Sequence, residues 1–103
     1  MQIPSSFFLA GIKVNVIRED NLVESKKCIG EARYSRQEIA IDTKSAPSNL
    51  TEQSFLHETV HWILYVMNED DLRNNEKFVD TFAHLLYQFI ESKVEDESLG
   101  EPK

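Results

Sequence analysis

Hydrophobic and polar positions divide this chain into a strand-forming half and a helix-forming half. Residues 7–17, FFLAGIKVNVI, are dense in β-branched and aromatic side chains. From Ile12 the pattern alternates, with Ile12, Val14 and Val16 on one face and Lys13 and Asn15 on the other, which predicts a strand. REDN at 18–21 is polar and turn-like. CIGEARYS and QEIAIDT predict two short strands around a turn at Ser35-Arg36-Gln37, with Ile39 and Ile41 alternating against Glu38, Ala40 and Asp42. KSAPSN at 44–49 is a loop: Pro47 blocks helix, and Ser48 or Asn49 can cap the helix that follows.

From Leu50 to Met67 the period becomes helical, with Leu56, Val60, Ile63, Leu64 and Met67 on one stripe. Asn49 followed three residues on by Glu52 fits a capping box. NEDDLRNN at 68–75 interrupts the pattern. A second helix is predicted from about Glu76 to Val94, where Phe78, Val79, Phe82, Leu85, Leu86, Phe89 and Ile90 form a wide apolar face. Strands first and helices after define an α+β class. The expected architecture is a small N-terminal antiparallel sheet or hairpin followed by two packed helices. Residues 1–95 are expected to form a single domain, and the polar segment 96–103 a flexible acidic tail.

Composition narrows the possibilities. The 103 residues suit one domain, and a hydrophobic fraction of 41% permits a modest core. The formal net charge of -7 argues against wrapping nucleic acid and against docking on anionic lipid, since both need a basic face. The acidity is concentrated in NEDD (68–71) and EDESLGE (95–101). One cysteine, Cys28, excludes an internal disulfide and a multi-thiolate metal site. Its plainer reading is a small apolar residue beside a strand. The N-terminus lacks a basic region and a long apolar run, and no stretch reaches membrane-spanning length. A soluble protein of the reducing cytoplasm is expected, without nucleic acid or membrane partners and with no indication of oligomeric state.

The chemistry lies in SFLHETVHWIL, residues 54–64. On a helix, His57 and His61 stand one turn apart and present two imidazoles to one point, a spacing that suits two Zn–N bonds. Glu58 lies about 100° round the helix from His57, near enough to reach a water at a metal without being a ligand. The plainer reading is two partly buried histidines bonded to polar neighbours. A catalytic zinc wants three protein ligands and an open position. The third could be Cys28, His84 or, best placed, Glu76. Glu76 and Asp80 lie one turn apart on the second helix. If that helix packs on the first, Glu76 reaches the metal and Asp80 accepts a hydrogen bond from a ligand histidine. Asp80 falls among Phe78, Val79, Phe82 and Ala83, where an unpaired carboxylate is costly. First-turn acids favoured by the helix dipole are the alternative for this pair.

HETVH followed on a later helix by NEKFVD resembles the gluzincins, the thermolysin-like zinc peptidases, whose pattern is HExxH and then N-E-x-x-x-D. Small size and the strand–hairpin–helix–helix order look more like the minimal zincins of phages and mobile elements, related to the ImmA/IrrE group. The resemblance covers about residues 30 to 90. It implies a zinc-dependent metalloendopeptidase with Zn2+ as cofactor and a peptide or protein as substrate. By it His57, His61 and Glu76 are ligands, Glu58 is the general base and Asp80 orients a ligand histidine. The hairpin at 29–42 becomes the edge along which a substrate adds as a strand.

The chain departs from the large gluzincins in two ways. The connection from His61 to Glu76 is short, and a further helical domain to supply transition-state donors is not expected. A donor must be local, with His84 first among Tyr34, Tyr65, Tyr87, Arg33 and Arg36. Two other functions remain open: a zincin-fold binding or regulatory protein with a structural or inactive metal site, and a metal-free helical interaction module. In the latter, Trp62, Phe78, Phe82 and Phe89 serve as core or partner surface.

Overall fold

The computed structural model describes residues 1–93. The expected tail at 96–103, and Val94 at the expected end of the second helix, lie outside the described residues. The architecture is α+β: a four-stranded sheet followed by helices. Strand β1 (Ser6–Leu9) and β2 (Ile12–Arg18) form a hairpin. The run at 7–17 therefore contains two strands, not one. They meet at Ala10 and Gly11, whose φ angles of 49° and 80° are both left-handed. A two-residue hairpin turn of type I′ needs positive φ at both positions. Alanine seldom accepts it, so the turn carries little sequence signal.

After β2 a short helix, α1 (Leu22–Lys26), buries Leu22 completely. It leads to β3 (Gly30–Arg33), a 3-10 turn at 34–36 and β4 (Glu38–Ile41). The strand order is β1-β2-β4-β3. The sheet is thus mixed: β2 pairs with β4 in parallel, from Asn15↔Glu38 to Arg18↔Ile41, between two antiparallel pairs. Ile39, Ala40 and Ile41 of the central strand β4 are almost wholly buried. Asp42, fully buried just beyond, is satisfied by the backbone N–H groups of Val23, Lys44 and Ser45 and by the Ser45 hydroxyl. It fixes the loop that launches the long helix.

That helix, α2 (Ser48–Val66), begins behind Pro47 with no side-chain cap. The expected Asn49–Glu52 capping box does not form, because Asn49 already lies inside the helix. Glu52 instead accepts from the Tyr87 hydroxyl at 2.9 Å. Phe55, Leu56, Val60, Trp62 and Leu64 are buried on more than one side, since α2 lies between the sheet and α4. Trp62 donates from Nε1 to the Glu38 carbonyl of β4 at 3.2 Å and bolts helix to sheet. Truncating a core side chain such as Leu56 to alanine costs about 2–5 kcal/mol. Met67, expected on the apolar stripe, is 59% exposed because the helix has ended there.

The helix terminates at Asn68, whose φ of 59° places it in the left-handed region. The Glu69 N–H then bonds back to the Leu64 carbonyl at 2.9 Å, a Schellman closure that reverses the chain. Helix α3 (Asp70–Arg73) spans the gap, and α4 (Glu76–Ser92) returns along α2. Asn75 caps α4 by accepting from the Phe78 N–H at 3.0 Å. Val79 and Ala83 face α2 and are buried. Phe82, Leu85 and Phe89 point outward, so the apolar face expected as one surface is split in two.

Candidate metal centre

The middle of α2, the first turns of α4 and strand β3 build the site. Helix α2 carries His57 and His61 on the flank that faces the start of α4. The cap at Asn75 fixes the first turn of α4 and with it Glu76. The His57 and His61 rings lie 4.9 Å apart. One oxygen of Glu76 meets His57 Nε2 at 3.2 Å, and the other meets His61 Nε2 at 3.1 Å. A donor atom from each of the three residues lies within 4.8 Å of the others. The Glu76 contacts approach the edge of a tetrahedron of metal–ligand bonds near 2 Å, about 3.3 Å.

Proton count supplies a second test of fit. His57 also meets Asp80 Oδ1 through Nδ1, at 3.4 Å. Carboxylates therefore stand at both ring nitrogens, whereas a neutral imidazole has one N–H to donate. A second ring proton would remove the conflict, and so would a metal cation among the two Nε2 atoms and Glu76, which leaves Nδ1–H for Asp80. The donor set fits a zinc ion.

Glu58 projects from α2 toward β3. Its carboxylate accepts a hydrogen bond from the Ala32 N–H. Gly30 admits it: a Cβ there would lie 3.1 Å from Glu58 Cγ and 3.0 Å from Ile41 Cδ1. Burial pushes the Glu58 carboxyl up to about 7, with Glu76 adding to the rise and His57 opposing it. Burial lowers His61, against the pull of Glu76. Glu58 stands between two clefts. One, of about 560 Å³, holds His57, His61, Glu76, Tyr34 and Arg73; the other, of about 320 Å³, holds His57, Cys28 and Asp80.

Tyr34, just after β3, stacks on Tyr65 at 4.3 Å and meets the edge of Trp62 at 5.2 Å. The Arg73 guanidinium lies 5.2 Å from the Tyr34 ring centre. Burial raises the Tyr34 hydroxyl, and the hydrogen bond from Arg73 opposes that rise. Because Arg73 donates to the phenol oxygen, the hydroxyl proton remains free to point elsewhere.

Not every expected residue joins this cluster. His84 bonds to Gln53 through Nδ1 at 3.1 Å and lines a different depression, beside Tyr87 and Glu91. Lying one turn beyond Asp80 is not enough to bring it to the cleft. Tyr87 bonds Glu52, and Arg33 is held by Glu19 and Glu31. Arg36 is exposed, and Cys28 lines the clefts without joining the three-donor cluster. Asp80 does not stand in an apolar patch: its side chain is 80% exposed, because Val79 and Ala83 turn to α2 while Phe82 turns outward. Sequence reasoning passed over Arg73, Gly30 and the Ala32 N–H. Arg73 sits in the aperiodic NEDDLRNN, and no local pattern marks any of the three. No protein-family model, curated protein or solved structure matches the chain.

Proposed function

We propose that the protein is a zinc-dependent endopeptidase of minimal zincin type, acting on a peptide or protein substrate in a reducing cytoplasm. One observation carries this reading. Donor atoms of His57, His61 and Glu76 converge from two helices, and Glu58 lines the same cleft. Among the described residues no helix is long and apolar enough to cross a membrane.

His57, His61 and Glu76 would hold the ion, with Asp80 fixing the His57 ring through Nδ1. Zinc bound there supplies Lewis acidity toward a water and a peptide carbonyl. Glu58 takes the proton of the attacking water and returns it to the departing amine. A carboxyl near 7 is poised for both transfers at neutral pH. Tyr34 replaces His84 as the local donor: it lines the same cleft, and its hydroxyl, held by Arg73, would donate to the developing oxyanion. A substrate adds along β3, the free edge of the sheet beside α2.

The exposure of Glu76, 67% at its side chain, favours an open site over a buried structural metal. The test is cleavage of a peptide library by zinc-loaded wild type and by Glu58→Gln with equal zinc content. Cleavage by the wild type alone supports the proposal. Equal products from both, or none from either, defeat it.

A further inference from the structure

His57 and Glu58 form a partition between two clefts, and Cys28 and Gly30 line both of them as well. On the peptidase reading, a peptide laid along β3 crosses from one cleft to the other at the cluster of His57, His61 and Glu76. One of the two residues flanking the attacked bond then offers its side chain to the smaller cleft.

The two clefts differ in unmatched charge. In the larger one the charged side chains outside the proposed catalytic set are engaged: Glu31 by Lys26 and Arg33, and Arg73 by Asp70 and Tyr34. In the smaller one Asp80 is the acid besides Glu58. Asp80 Oδ1 meets His57 Nδ1 at 3.4 Å, and the side chain is 80% exposed. Among the described residues Asp80 has no other hydrogen bond or ion pair, so Oδ2 is open. No lysine or arginine lines this cleft. Lys77, three residues before Asp80, lines the outward depression on α4 instead.

Ile29, Leu50, Gln53 and Ser54 complete the walls around about 320 Å³. Apolar walls with one exposed carboxylate match a lysine or arginine, whose stem packs on carbon while its head stays wet beside the acid. A leucine would fill the same walls and leave Asp80 unmatched. The net charge of -7 adds a general attraction for basic peptides.

We infer that this cleft is a specificity pocket for a lysine or arginine directly flanking the cleaved bond, with Asp80 pairing the charged head. The inference rests on the peptidase reading for its ligand. It gives the two oxygens of Asp80 separate tasks: Oδ1 orients His57, and Oδ2 meets the substrate.

A randomised peptide library tests this in two ways. Digestion by the zinc-loaded wild type should enrich lysine and arginine at one position beside the cut, roughly fivefold over methionine, as for an exposed ion pair. Immobilised Glu58→Gln protein should show the same enrichment among bound peptides, falling as salt is raised. Asp80→Asn, made in that protein, keeps an acceptor for His57 Nδ1–H and should lose the preference. The lysine-to-methionine ratio is internal to each protein, so weaker zinc binding does not by itself produce that loss. Ser54→Lys sets a cation in the cleft away from the metal cluster and should lose the preference too. Absence of all cleavage defeats the peptidase reading, while the bound fraction still decides this one. Equal binding of lysine and methionine peptides overturns the inference, as does a preference that survives Asp80→Asn.

Discussion

The two halves of the candidate site are built on opposite terms. One half is dry: Glu58, with burial holding its carboxyl near 7, presses against Gly30 and takes the Ala32 N–H, and the His61 side chain is 13% exposed. The other half is wet: Glu76 and Asp80 are 67% and 80% exposed at their side chains. The dry half sets proton affinity through burial, which needs a packed sheet and helix. The wet half sets metal affinity through geometry, which needs only a capped helix turn. The halves should therefore fail separately, one losing chemistry while keeping metal and the other losing metal while keeping the fold.

The largest separation is expected at Glu58. Glu58→Gln should keep stoichiometric zinc by elemental analysis while peptide cleavage falls about 10²- to 10⁴-fold, the range of a lost general base. Across both halves, His57→Ala/His61→Ala should bind no zinc yet unfold cooperatively. Asp80→Ala should weaken zinc roughly 10- to 100-fold, measured by competition with a chelator. Full zinc affinity in Asp80→Ala would dissolve the contrast between the halves.

Protonation sharpens the dry half. With its folded pKa raised above the ordinary carboxylate value, Glu58 favours the folded state in its protonated form. That stability is complete below pH 4.5 and is lost as pH rises through about 7. His61, lowered by burial, works in the opposite direction as pH falls below its ordinary range. In chelator-treated protein at pH 8, Glu58→Gln should therefore be more stable than wild type by on the order of 2 kcal/mol in urea. Equal stability of the two proteins at pH 8 and at pH 5 would show that Glu58 is not desolvated.

Smaller effects grade the same contrast. Gly30→Ala should retain zinc but displace Glu58 and Ile41 by a few tenths of an ångström, lowering cleavage more than stability. Asn75→Ala removes the α4 cap and should cost about 1 kcal/mol, loosening zinc slightly through Glu76 next door.

Local periodicity made much of this legible in the sequence. His57 and His61 share a helix face by spacing alone, as do Glu76 and Asp80, and the apolar runs place both helices. The alternation at Ile39 and Ile41 marks β4. The remainder depends on contacts between distant segments. Nothing near Arg18 signals that β2 lies parallel to β4, since that register follows from where β3 turns back. The turn at Ala10 needs a conformation alanine disfavours. Asp80 appeared buried by its neighbours in sequence, yet those neighbours point to two different sides of α4. The path of Arg73 to Tyr34 depends on the Asn68 reversal.

Trp62 gives the molecule an optical reporter of its own. It is the sole tryptophan, adjoins His61 in sequence, and lies 5.2 Å and 5.5 Å from the rings of Tyr34 and Tyr65. Excited tyrosines at that range hand their energy to the indole, so a single emission band registers both the aromatic cluster and its neighbourhood. Titrating cobalt or copper should quench that band in proportion to loading, without any attached dye.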